Sequence, residues 1–74
     1  MTTDEVKALI VRGLPGAQVT VKDMTGTGDH FEATVVTDAF QGRSLVDMHR
    51  MVYAALGDAM KGPIHALKLD TRAA

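Results

Sequence analysis

Three histidines, His30, His49 and His65, are the side chains in this sequence best suited to holding a metal ion, and the chain has no cysteine to assist them. A neutral imidazole binds iron, zinc or copper through one ring nitrogen, so two that converge supply part of a coordination shell. None of the intervals between them is the four-residue step of a helical ligand pair, and none matches a zinc finger. Any convergence must therefore come from tertiary structure. Asp23, Asp29 and Glu32 offer carboxylates nearby, but nothing in their spacing marks an acid and a base set across a substrate, and they are expected to be solvated surface. Ser44 has no predicted base beside it and no nucleophile elbow around it, and it precedes an apolar helical pattern, so it reads as a helix cap. No catalytic residue is assigned, and the chain is expected not to be an enzyme.

The elements that must position these residues follow from periodicity. Thr2 with Glu5 three places on is a capping-box pattern, and Val6, Leu9 and Ile10 follow at helical spacing, predicting a first helix to about Arg12 that Gly13 and Pro15 stop. Ala17, Val19 and Val21 alternate with polar residues as in a strand with one buried face. Thr25 to Asp29 is turn-rich and predicts a loop between antiparallel strands. A second strand begins near His30, with Phe31, Ala33 and Val35 on one face, and Asp38 and Gly42 then turn the chain. Ser44 and Asp47 signal another helix start. Leu45, Met48, Val52, Leu56 and Met60 form one apolar stripe along a long helix that contains Gly57, at a cost of about 1 kcal/mol relative to alanine, and ends at Gly62-Pro63. A last strand is expected from Ile64 to about Asp70.

The predicted fold class is α+β: a single small domain spanning residues 1–74, in the order helix, strand, strand, helix, strand. A right-handed crossover makes strands two and three parallel, in a three-stranded mixed sheet with both helices on one face and the other face free for partners. Parallel strands start at the same sheet edge, about 5 Å apart, which would bring His30 and His65 to one ion. An antiparallel third strand would separate them. His65 also shares strand parity with Leu67 and Leu69, so a core histidine is the competing expectation. His49, four residues before Tyr53, is expected to serve packing or docking.

Composition narrows the function classes. With 74 residues, 46% hydrophobic and 23% charged, the chain suits one globular core of modest stability. Without cysteine it forms no disulfide, which fits a reducing compartment, and the acidic start Met1-Thr2-Thr3-Asp4-Glu5 carries no secretory signal, so the cytoplasm is expected. No apolar run is long enough for a bilayer. Net charge is −1, and the scattered basic residues argue against a strong electrostatic nucleic-acid footprint.

Three segments are less generic: Asp38-Ala39-Phe40-Gln41-Gly42-Arg43-Ser44-Leu45, Met48-His49-Arg50-Met51-Val52-Tyr53, and Ile64-His65-Ala66-Leu67. In this order and spacing they resemble the BolA family over nearly the whole chain, Thr2 to Thr71. Met48 stands where the family usually has an arginine, which weakens the basic helix surface, and many relatives continue beyond Thr71 into a short helix. The resemblance implies that His65 and His30 are ligands of a [2Fe-2S] cluster shared with a monothiol glutaredoxin and its bound glutathione, with no cofactor in the isolated chain. It implies an adaptor in iron–sulfur trafficking, iron regulation or stress response. The alternative is a nucleic-acid-binding transcriptional regulator, since the element order resembles the type II KH arrangement. Arg43, His49, Arg50 and Tyr53 are its candidate surface, as they are for partner docking. Gly13-Leu14-Pro15-Gly16 fits the GxxG string of KH domains but is sufficiently explained as a helix stop.

Overall fold

The computed structural model describes residues 1–74. The order is α1 (Thr3–Gly13), β1 (Gln18–Asp23), β2 (His30–Thr37), a 3₁₀ turn (Asp38–Phe40), α2 (Leu45–Leu56), a second 3₁₀ turn (Gly57–Lys61) and β3 (Ala66–Ala73). The α1 start is closed by a reciprocal capping box: Glu5 N–H donates to the Thr2 hydroxyl at 3.1 Å, and Thr2 N–H donates to the Glu5 carboxylate at 2.9 Å. The bond from the Thr2 backbone N–H, followed by the Thr2 hydroxyl, holds the Glu5 carboxyl below its ordinary value of 4.5. Ser44 caps α2 in the predicted way, accepting from Asp47 N–H at 3.2 Å.

The sheet order is β1-β2-β3, with β1 antiparallel to β2 and β2 parallel to β3. Both helices pack on one face. There Phe31, Ala33 and Val35 of β2 are fully buried with Val6 and Ile10 of α1 and Val52 of α2, and Val19, Phe40, Leu56 and Ile64 complete the core. The opposite parity makes the outer face, where Lys22, Glu32 and Lys68 fall in one row and Thr20, Thr34 and Asp70 in the next. Arg72 donates to both carboxylate oxygens of Asp70, at 3.3 and 2.7 Å.

Four departures from the expected elements stand out. α2 ends at Leu56, because Gly57 takes φ +55° and caps the helix, its N–H donating to Tyr53 C=O. The remainder of the expected long helix is the 3₁₀ turn to Lys61. Leu45 lies outside the buried stripe at 61% exposure. β3 starts at Ala66 rather than Ile64 and runs to Ala73 rather than Asp70, since β2 offers partners as far as Thr37 and Ile64 is instead a core residue whose N–H is tied to Ala59 C=O. Phe40, within the segment expected only to turn the chain, is 1% exposed and anchors the crossover in the core; burying such a side chain is worth roughly 1.5–3 kcal/mol.

Candidate metal-ligand site

The β1–β2 loop is built by two aspartates. Asp23, at the end of β1, accepts backbone N–H bonds from Thr25 (3.2 Å) and Gly26 (2.9 Å) on one carboxylate oxygen and from Gly28 (2.9 Å) on the other. Gly26 and Gly28 both have positive φ, the conformation that lets successive amides turn inward to one carboxylate. The Met1 ammonium donates to Gly28 C=O at 3.0 Å and ties the loop to the start of the chain. Asp29 then leads into β2. Its carboxylate accepts from the Thr27 hydroxyl and lies 2.7 Å from His30 Nδ1. The Thr27 bond, followed by the His30 bond, holds the Asp29 carboxyl below its ordinary value of 3.8. The expectation that Asp23 and Asp29 are plain solvated surface is corrected: both are structural acceptors within the loop.

The parallel pairing puts His30 opposite Ala66, one residue past His65. The two imidazoles lie with ring centroids 5.1 Å apart and planes tilted by 56°. The backbone joins them as well, because Asp29 C=O accepts from His65 N–H at 2.7 Å and from Ala66 N–H at 3.2 Å. His65 is exposed and Ile64 takes the core position beside it, so the competing expectation of a core histidine fails. His30 is half-buried, its side chain 35% exposed. Two imidazoles at one open sheet edge, with no third His, Cys, Asp or Glu completing a group, make an incomplete coordination shell that an ion could enter only with ligands from another molecule.

The third histidine is elsewhere. His49 sits on α2 with its ring edge-on to Tyr53 at 6.5 Å, and its Nε2 is buried without a hydrogen-bond partner. Of the group expected to form a partner or nucleic-acid surface, Arg43, Arg50 and Tyr53 are exposed and His49 is half-buried. Because β2 and β3 run parallel, α2 starts near the far ends of the strands, just after Arg43, and carries His49, Arg50 and Tyr53 back along the sheet. In the Gly13-Leu14-Pro15-Gly16 string Leu14 is buried and Pro15 and Gly16 are exposed, while a Cβ on Gly13 would fall 2.4 Å from Ala55 Cβ, so Gly13 marks the close crossing of α1 and α2.

Fold and site together define a class of small α+β domain that presents two histidines at the shared start of parallel strands. The family model described as BolA-like protein matches residues 15–74. The chain belongs to the BolA family. It is 40% identical over 70 residues to Protein BOLA2 of Arabidopsis thaliana, covering 93% of this chain and 74% of that protein. It is 37% identical over 46 residues to the DNA-binding transcriptional regulator BolA of Escherichia coli, covering 62% and 44%. The structure of a bolA protein homologue from Coxiella burnetii superposes with a TM-score of 0.85 at 40% identity, covering 99% of this chain and 91% of that one. The chain spans only about a third of some curated relatives, 35% of BolA-like protein 1 of Bos taurus for example.

Proposed function

We propose that this chain is an adaptor that pairs with a monothiol glutaredoxin and shares a [2Fe-2S] cluster with it through His30 and His65. The observation that carries the reading is the meeting of two otherwise distant imidazoles at an open edge, 5.1 Å apart, in a chain with no thiolate. The donor set fits such a cluster, since two histidines can replace two cysteines on one iron. The partner and its glutathione would supply the thiolates. A bound cluster supplies one-electron chemistry and transferable iron and sulfide, and imidazole ligation raises its reduction potential. The chain's own contribution is to hold two neutral nitrogen donors at a rigid sheet edge and leave the remaining approach open to a partner. No residue is assigned a catalytic role. The lack of disulfides suits the reducing cytoplasm, where we place it, and no helix is long and apolar enough to cross a membrane.

The test is anaerobic reconstitution with a monothiol glutaredoxin, glutathione, iron and sulfide, followed by visible absorption and circular dichroism. Wild type is expected to form a complex with a spectrum distinct from that of the glutaredoxin alone, and His65→Ala and His30→Ala are expected to lose it. An unchanged glutaredoxin spectrum with no complex would refute the adaptor.

The relative from Escherichia coli named as a DNA-binding transcriptional regulator supports a second reading, nucleic-acid binding through Arg43, Arg50 and Tyr53. With net charge −1 and few exposed cations together, the electrostatic case is weaker. Substitution separates the readings: a salt-sensitive DNA affinity that survives loss of both His30 and His65 would favour the regulator.

A further inference from the structure

Asp29 is bonded to both histidine positions in different ways. Its carboxylate meets His30 Nδ1 at 2.7 Å, and its carbonyl accepts the backbone N–H of His65 at 2.7 Å. The Thr27 hydroxyl donates to the same carboxylate oxygen that faces His30, Oδ1, and so restricts the rotation of the carboxylate. A carboxylate can only accept, so a neutral His30 must carry its proton on Nδ1 to make that bond. The lone pair is then left on Nε2, the nitrogen on the far side of the ring from Asp29.

We propose that Asp29 is a positioning residue: through its contact with His30 Nδ1 it fixes that imidazole as the Nδ1–H tautomer and presents Nε2 as the ligand atom beside His65. The role as ligand rests on the shared-cluster reading, whereas the tautomer does not. Carboxylates behind ligating imidazoles fix ring orientation and raise the basicity of the donor nitrogen. Here the carboxylate precedes its histidine directly in the chain, and its carbonyl ties the β3 start to the same residue. One residue thus keeps the two rings in register with each other, and no partner is needed to assemble the pair.

The experiment is long-range proton–nitrogen correlation NMR of the histidine side chains in the isolated ¹⁵N-labelled chain, at a pH where the imidazoles are neutral. Wild type is expected to show His30 protonated at Nδ1. Asp29→Ala is expected to invert the majority tautomer to Nε2–H, and Asp29→Asn, which keeps an acceptor oxygen without the charge, to restore Nδ1–H. Thr27→Val, which frees the carboxylate without removing it, is expected to give a mixture. The backbone bonds from His65 and Ala66 survive all three substitutions, so unchanged β3 amide shifts serve as the folding control. Wild-type His30 protonated at Nε2, or an Asp29→Ala spectrum with the Nδ1–H tautomer intact, would overturn the proposal. Neither result depends on a glutaredoxin, so failure here and failure of the adaptor reading are told apart.

Discussion

Asp23 shows how much a single half-buried side chain can organise. Three amide donors converge on its carboxylate, from Thr25, Gly26 and Gly28, and the loop they shape delivers Asp29 and His30 to the head of β2. The arrangement resembles a helix N-cap, where removing the acceptor costs about 0.5–2 kcal/mol. Asp23→Ala is therefore expected to lose about 1–2 kcal/mol in urea denaturation and to speed amide exchange at Gly26 and Gly28. Unchanged exchange at those two amides would mean that the glycine turns hold the loop without the carboxylate. His49 presents the opposite case, with a polar atom buried and unpartnered; its edge contact with Tyr53 gives it a packing role on α2.

At the level of elements, the end of α2 reverses the sign of a simple substitution. A glycine inside a helix is improved by alanine, by about 1 kcal/mol. Gly57 instead stands at φ +55° as the cap, with open space where a Cβ would sit, so the difficulty is conformational and not steric. With ψ −126° the backbone here lies outside even the left-handed helical region, so Gly57→Ala is expected to destabilise by about 1–3 kcal/mol, lowering the melting temperature by roughly 4–8 °C per kcal/mol in a domain of this size. A higher melting temperature would show that α2 continues through this position in solution. The helix is stopped here so that the chain can turn, through Lys61 and Pro63, and place Ile64 in the core immediately before His65. The length of α2 and the position of the site are thus linked.

For the whole molecule, a small core must keep the histidine edge rigid. Stability of about 0.05–0.15 kcal/mol per residue gives this chain roughly 4–11 kcal/mol in total. Phe31, fully buried and next to His30, is expected to cost about 3–5 kcal/mol when cut to alanine, most of what a domain at the lower end possesses. The exposed His65→Ala is expected to stay within about 0.5 kcal/mol of wild type. Urea midpoints check both. The contrast matters for reconstitution: spectral loss in Phe31→Ala reports unfolding, while loss in a stable His65→Ala reports the ligand. A large destabilisation by His65→Ala would assign that side chain to the fold.

The element order, the parallel pairing of the last strand, both helix caps and the buried face of β2 were legible in the sequence. Each depends on local chemistry, whether hydrophobic period, capping side chain or turn residue, and the handedness rule for crossovers does the rest. The BolA resemblance was equally legible, since it lies in short ordered strings. Other features belong to the tertiary structure. That His65 faces solvent while Ile64 fills the core depends on where the turn after α2 releases the chain, whereas strand parity with Leu67 and Leu69 pointed to a core histidine. Gly57 as a cap and Phe40 as an anchor depend on the length of sheet that α2 must recross. Asp29, read from the sequence as a solvated carboxylate, gained its partners only when the loop folded over Asp23 and β3 docked on β2. Hydrogen bonds of this kind depend on orientation over a few ångströms, which residue spacing does not encode.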